Sequence, residues 1–331
     1  MSDLLLAQGA AEIVLFDNFS LGTPEAIQHL ADDPRVRLIR GDILRLPELV
    51  DAMTGIDGVF AFAGFLTLPL SQNPALGLDV NVRGMINVLD ACRINQVAKI
   101  VFASSVGVYG QPDVDTVDEA TPYYIDRAQP ALGLYAASKM IGENLCRLYS
   151  DRYGIDFISL RYSTVYGERQ HFRGVNALHI IDSYVKLKKG EAPVLPGDGS
   201  QVYDFVYVGD VARGTVMSMQ SDVSGEAFLM TSGVDVPLND IMQILRDLTG
   251  SAVMPEYRDD PSRLKTTFKK KLGYLPTKAE RLLGWKPEVA IGDGIRRLVD
   301  WVDHVGQVGQ VGQMKPAEPA DRVKAVGRHA A

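Results

Sequence analysis

The sequence predicts an α/β protein built on a doubly wound parallel sheet, with a smaller lobe towards its C-terminal end. Two observations carry this. Apolar runs (EIVLFD, VRLIRGD, DGVFAFAG, AKIVFASS and IDFISLRYS) alternate with helical stretches as far as about Tyr166. That alternation is the pattern of parallel strands covered on both faces. After Tyr166 it loosens into short strands, turns and basic segments such as PVLPGDGSQVYDFVYV and YRDDPSRLKTTFKKKLGYLPT. A chain of 331 residues can bury one large core or two smaller ones, and 46% hydrophobic with 23% charged residues is ordinary for a soluble globular protein.

In chain order, MSDLLLAQGA reads as a helix with a glycine stop, and EIVLFD as a strand ending in the acid Asp17. TPEAIQHLADD is helical, VRLIRGD a strand, LPELVDAMTG a helix and DGVFAFAG a strand ending in small residues. A long amphipathic helix follows over about 73–95. AKIVFASS is the next strand, a second long helix covers about 133–153, and IDFISLRYS closes the regular part. The predicted division is 1–166, then a lobe over 167–303 with 204–219 returning to the main sheet. The last stretch, 304–331, is a threefold VGQ repeat and a Pro/Ala/charged tail without apolar period, expected to be disordered.

Composition excludes several classes. A net charge of −7 argues against a nucleic-acid surface, local basic pockets aside. Cys92 and Cys146 are far apart inside helical patterns, so they read as small buried hydrophobes, with no disulfide framework and no metal set. No apolar run reaches membrane-spanning length, and no basic leader precedes a cleavage site. A cytoplasmic enzyme or binding protein is expected.

The chemistry gathers at strand ends, where ligands of doubly wound sheets bind. AKIVFASS ends in Ser104 and Ser105; a hydroxyl here suits a substrate, or simply a turn backbone. YAASK places Tyr135 and Lys139 four residues apart, on one helix face. An ammonium beside a phenol favours the phenolate and lowers its pKa, giving a base usable near neutral pH. The spacing alone is weak, since Tyr184/Lys188 and Tyr274/Lys278 share it. The first of these reads as a solvated basic face, and the second contains Pro276 and does not fit a helix interior. Gly306, Gly309 and Gly312 have a dinucleotide-loop spacing. They precede no helix and follow no strand, so the match reads as low-complexity repeat.

Taken together, the stretches VLFDN, GDI, FAFAG, NVRGMINVLDA, FASSVGVYG, YAASK, LRYSTVYGERQ, PGDGSQVYDFVYVGDVARG and LGWKPEVAIGDGI resemble the extended short-chain dehydrogenases/reductases, the nucleotide-sugar epimerase and dehydratase group. The likeness covers about 3–303. It implies a Rossmann-like NAD-binding domain over 1–166 and a substrate-binding lobe over 167–303. It implies Tyr135 as general base and acid, Lys139 as its activator and nicotinamide-ribose ligand, and Ser105 as the partner of the reacting sugar hydroxyl. Asp17 and Asn18 would lie at the adenosine ribose, Asp42 and Ile43 at the adenine. Phe62, Ala63, Gly64, Asn81, Ser104 and Ser163 would be further NAD contacts. A carboxylate at Asp17 also repels a 2′-phosphate, favouring NAD over NADP. The resemblance further implies a homodimer through the helices at about 73–95 and 133–153.

Three departures shape the reading. The family's first strand and its GxxGxxG loop have no counterpart before Asp17. The lost strand would be the central one of the sheet, leaving two interior edges unpaired. A natural product starting ~20–30 residues earlier is expected from the usual spacing to the ribose acid; a chain that truly lacked the loop would bind NAD poorly. The family's 4,6-dehydratases carry an Asp-Glu pair where this chain has Val106 and Gly107, which argues for simple oxidation–reduction. Thr164 and Ser163 replace the usual Asn and Phe, and Tyr203 replaces an Arg against the substrate diphosphate. Arg169, Arg263 and Arg173 could supply that charge, Arg173 being equally readable as a surface residue. The expected activity is an NAD-dependent 4-epimerase of a nucleotide sugar. The alternatives are a net dehydrogenase/reductase of a sugar nucleotide or other hydroxylated substrate, and a non-catalytic cofactor binder.

Overall fold

Each strand run is rich in β-branched and aromatic residues, and each is separated from the next by a helix, so the strands pair in parallel. The structure, a computed structural model, describes residues 1–170, 178–258 and 272–307. Arg173, Arg263, Gly309 and Gly312 lie outside the described residues. The described strands are β1 (Ile13–Asp17), β2 (Val36–Arg40), β3 (Gly58–Ala61), β4 (Lys99–Ser105), β5 (Thr116–Val117), β6 (Asp156–Tyr162), β7 (Thr164–Tyr166), β8 (Val194–Pro196), β9 (Val202–Tyr207), β10 (Glu226–Met230), β11 (Asp235–Pro237), β12 (Glu256–Arg258) and β13 (Gly273–Tyr274). The helices are α1 (Ser2–Ala7), α2 (Leu46–Ala52), α3 (Thr67–Gln72), α4 (Pro74–Leu78), α5 (Met85–Ile94), α6 (Pro130–Tyr153), α7 (Leu178–Lys188), α8 (Val208–Gln220), α9 (Leu238–Thr249), α10 (Thr277–Leu283) and α11 (Ile291–Gln307).

The main sheet has the order β10-β6-β4-β3, all parallel. Its central pair, β4 and β6, is buried almost throughout. Side chains alternate between its faces. Ile100, Phe102 and Phe157 join Leu49, Leu89 and Cys146 in one apolar layer, which takes in residues of α2, α5 and α6. Val101, Ile158 and Leu160 join Phe228, Met230 and Trp285 in the other, with Met217 of α8 and Ala279 of α10.

β1 and β2 form a separate parallel pair. Phe16 of β1 and Val59 and Ala61 of β3 rest against the same apolar layer, yet β1 and β3 share no ladder. Among the described residues no strand bridges them, and the sheet is interrupted there. The consequence is visible in burial: β3 is only half-buried along its length and Phe62 is 44% exposed, although strands inside a parallel sheet are normally covered on both faces. α1 has no buried residue. It is held by polar ties instead, Gln220 Nε2 donating to Gln8 Oε1 at 2.8 Å and Asp3 accepting from His29 and Arg169.

The second lobe is built on β11-β9-β7, with α7, α9 and α11 packed around Tyr166, Phe205, Ile241 and Leu298. β6 and β7 are separated only by Ser163, so the chain crosses from one sheet to the other at that residue.

Several sequence expectations need correction. Within the expected 204–219, α8 returns to the main sheet and packs on β4 and β6, while β9 pairs with β7 and β11 in the lobe; β10, beyond that range, adds a strand to the main sheet. The helix over 73–95 contains a π turn at Asp79–Gly84, and 24–30 is a 3₁₀ rather than an α-helix. Tyr184 is not on a solvated face: it is buried, and its hydroxyl and Lys188 Nζ both donate to Asp303 of α11 at 2.8 Å. The helical stripe of α7 needed a partner, and α11 supplies it. α11 itself runs to Gln307, so 304–307 is helical rather than part of a disordered tail.

The interruption predicts uneven stability. Amides of β1 and β2 are expected to exchange at least about tenfold faster than those of β4 and β6, because local opening there breaks fewer buried contacts; hydrogen exchange read by mass spectrometry measures this. Leu160, fully buried in the opposite layer, should cost about 2–5 kcal/mol when replaced by Ala, read as a shift of the denaturant midpoint.

Candidate active site

The site forms where α6 crosses the C-terminal end of β4. Three successive strand positions meet three helix positions four residues apart. Lys139 Nζ donates to the Ala103 carbonyl at 2.8 Å. The Ser104 hydroxyl donates to Glu143 Oε1 at 2.5 Å. The Ser105 hydroxyl stands beside the ring of Tyr135, both bordering Gly107, and, against burial, pulls the phenol's pKa down. Ser105 Oγ also accepts from Gly107 N at 3.1 Å, capping the 3₁₀ turn Val106–Tyr109. That cap fixes the rotamer that faces Tyr135, so the turn function and the chemical function coincide in one side chain.

Tyr135 and Lys139 are both buried. Burial pushes the Tyr135 phenol up to about 12, with the Ser105 hydrogen bond pulling the other way. Burial pulls the Lys139 ammonium down to about 8. The expected lowering of the phenol by its lysine is therefore not present in the protein alone. Lys139 Nζ lies 5.9 Å from the Tyr135 ring centroid, with one N–H donated to Ala103, and desolvation dominates.

Gly64 and Asn81 close the opposite side. A β-carbon at Gly64 would stand 3.3 Å from Asn81 Oδ1 and 3.4 Å from Lys139 Nζ, so only glycine leaves this approach open. Asn81, buried in the π turn, accepts from Phe65 N at 2.6 Å and donates to Phe65 O and Ser138 Oγ at 3.0 Å. It thereby ties the segment after β3 to α6. Phe62 is exposed and stacks on Phe60 and Tyr162 at 6.4 Å between centroids; its neighbour Ala63 is also exposed.

The other expected residues lie at the ends of β1, β2 and β6. Asp17 and Asn18 are exposed; each accepts a backbone N–H two residues on, Phe19 at 2.7 Å and Ser20 at 3.0 Å. Asp42 accepts from Leu44 N at 2.9 Å, and Ile43 packs against Gly84. Two of the expected hydroxyls are hydrogen-bonded within the chain. Ser104 is committed to Glu143, and Ser163 donates to the buried Asp204 at 2.6 Å, stitching the two sheets together. Thr164 and Tyr203 are half-buried on β7 and β9, the Tyr203 ring tilted against Phe205. Arg169 does not reach into the Tyr135 cluster: its Nη1 donates to Asp3 of α1 at 2.8 Å.

Sequence reading missed one cluster entirely. Glu143 and Arg161 form a buried ion pair, Nη2 to Oε2 at 2.7 Å, wrapped by Tyr109 and Tyr123. The available signal was a lone arginine inside the apolar strand DFISLRY.

With this geometry established, comparison with known proteins defines the class. Residues 1–230 match the model of the NAD dependent epimerase/dehydratase family. A UDP-glucose 4-epimerase of Mycolicibacterium smegmatis is 30% identical over 307 residues, 90% of this chain and 92% of the relative. The chain belongs to that family. Among solved structures, a UDP-glucose 4-epimerase of Thermotoga maritima with UDP-glucose has a TM-score of 0.81 at 25% identity, over 92% of this chain and 94% of that one. A UDP-glucose 4-epimerase of Thermus thermophilus complexed with NAD gives 0.76 at 28% identity, over 91% and 94%.

The residues fit the nicotinamide-ribose end of NAD. The cradle at Gly64, which a β-carbon would narrow, opens beside Lys139 Nζ and Asn81. For the pyrophosphate, no GxxGxxG or GxGxxG stretch lies between a strand and a helix among the described residues, and no contact is assigned.

Lys139 is held at a cost to stability. The fall from 10.5 to about 8 corresponds to about 3 kcal/mol against the charged form. The unfolded chain binds this proton more tightly. The cost is therefore complete below pH 8 and fades as pH rises to 10.5. Lys139→Met should accordingly stabilise the fold at pH 7 by about 1–2 kcal/mol, after loss of the hydrogen bond to Ala103. The gain should vanish towards pH 10.5, as read by denaturant unfolding at both pH values.

Proposed function

We propose that the protein is an NAD-dependent 4-epimerase acting on a nucleotide sugar. The observation that carries this reading is the buried gathering of Ser105, Tyr135 and Lys139 at the crossing of α6 over β4, next to positions 106 and 107 that hold Val and Gly and can do no acid–base work. One phenol, without a second acid, suits removal and return of a single hydroxyl proton.

NAD, when bound, supplies a hydride acceptor that can give the hydride back. The chain's own work is proton transfer and positioning. Tyr135, as phenolate, takes the proton of the reacting hydroxyl while the carbon beneath it becomes a carbonyl. Ser105 shares the hydrogen bond and holds the oxygen in line with the phenol. We assign Lys139 the stabilisation of the phenolate once it forms; its ammonium stands 5.9 Å from the Tyr135 ring centroid and does not lower the phenol in the protein alone. On return, Tyr135 gives the same proton to the oxygen after the opposite face of the sugar has been presented, so no net proton or electron is consumed.

We also read the enzyme as a homodimer. The outer face of α6 presents Ala137, Met140, Ile141, Leu145 and Leu148 in one stripe, bordered by Ile125. Ile141 and Leu148 are each 42% exposed, an apolar patch of the sort that marks a protein contact. A second copy, offering the same stripe about a twofold axis, would cover it.

Tyr135→Phe is expected to lower kcat by at least about a thousandfold while NAD affinity stays within about threefold; retained turnover would remove the assignment. In the wild-type protein, reduced cofactor should remain far below one equivalent per substrate converted. Stoichiometric accumulation would instead identify a net dehydrogenase. Ile141→Glu combined with Leu148→Glu should shift the protein to a monomer in light scattering, because two charges would be buried in each copy.

A further inference from the structure

We infer that Glu143 is a positioning residue for the reaction: with Arg161 it fixes, through Ser104, the separation between Ser105 and Tyr135. The inference rests on the epimerase reading for its catalytic part and on geometry alone for the rest.

Glu143 and Arg161 are buried, 9% and 4% exposed. Arg161 donates to both carboxylate oxygens, Nε to Oε1 at 3.0 Å and Nη2 to Oε2 at 2.7 Å. Its remaining protons go to Tyr109 Oη at 2.7 Å, Tyr123 Oη at 2.6 Å and the Glu119 carbonyl at 3.4 Å. Tyr123 Oη also approaches Glu143 Oε2 at 3.4 Å, and the last strong bond to the carboxylate comes from Ser104 at 2.5 Å. The network joins α6, β4, β6 and the segment after β4. Burial works against the arginine's charge, and the carboxylate beside it more than restores that charge.

A buried ion pair is weak evidence for stability, since well-packed apolar residues often do as well; its best-attested use is to fix register. Here the register that it fixes is specific. Ser104 lies opposite Arg161 across the β4–β6 ladder, and Ser105 opposite Tyr162. Ser104 and Ser105 are consecutive, and Tyr135 lies two helical turns from Glu143 on the same face. The pair therefore clamps the strand end and the helix that between them carry Ser105 and Tyr135. Tyr109, at the end of the turn that Ser105 caps, is drawn into the same clamp. A misplacement of 1 Å in a site of this kind can cost about a hundredfold in rate. The clamp contributes no atom to the reacting groups, which distinguishes it from the Ser105–Tyr135–Lys139 set.

The test uses two variants of the full chain. Glu143→Leu with Arg161→Met removes the pair and leaves no unpaired charge; Ser104→Ala removes only its link to the strand and spares the fold if the double variant does not assemble. Each is checked for native circular dichroism. The expected result is a fall in kcat of about 30-fold for the double variant and about fivefold for Ser104→Ala, with KM within about threefold, and an acidic limb of the kcat–pH profile displaced upward. A second readout needs no turnover: 3-fluorotyrosine placed at position 135 and titrated by fluorine NMR. A loosened Ser105 bond should raise its midpoint in both variants relative to the parent. Folded variants with parental kcat, profile and fluorine midpoint would overturn the inference, as would a loss confined to KM. If the parent turns over no nucleotide sugar, the epimerase reading fails by itself, and the fluorine midpoint alone decides whether the clamp positions Tyr135.

Discussion

The contact on which the site depends is the crossing of α6 over the end of β4. It is close because Gly142 lies against the Phe102 ring, where a β-carbon would collide with the aromatic carbons. At that separation three helix residues at intervals of four reach three consecutive strand residues. Lys139 meets Ala103, Glu143 meets Ser104 and Tyr135 meets Ser105. The helix repeat supplies the shared face, and the strand supplies polar groups at the end where its ladder stops. A bulkier residue at 142 would lift the helix and separate all three pairs together.

The position of this crossing within the fold gives it access. β4 and β6 are the most deeply covered strands of the main sheet, and their carboxyl ends open towards the second lobe. Ser163 marks the passage from one sheet to the other. Its hydroxyl, together with the amides of Ser232 and Gly233, satisfies Asp204 at the lobe's edge. Burial raises the Asp204 carboxyl despite these donors, so the stitch is made from a group that could not be left unpartnered. The junction between lobes is thus built from hydrogen-bonded polar groups, and the reactive cluster lies beside it.

Polar groups in the interior carry this site at some expense to the fold. An ammonium, a phenol and a complete ion pair lie within a few residues of one another under an apolar layer. Each is satisfied by a specific partner, and each would be destabilising without it. Proteins generally break packing rules where function demands it. The contrast with the two cysteines is instructive: burial pushes Cys92 up to about 12 and Cys146 also upward, with no partner to activate either thiol, so they act as apolar filler.

The sequence by itself determined the alternation of strands and helices and the family, and it singled out Ser105, Tyr135 and Lys139, which the fold brings together. These depend on local periodicity and short spacing, and such patterns survive in one dimension. What only the tertiary structure decided depends on which distant groups meet. That the hydroxyls of Ser104 and Ser163 meet Glu143 and Asp204 is one such pairing. Arg169 is seen to meet Asp3 of α1, and Tyr184 reads as surface until α11 covers it. The phenol beside its lysine reads as acidified, yet burial raises it, because desolvation depends on everything packed around the pair and not on the four-residue spacing that identified it.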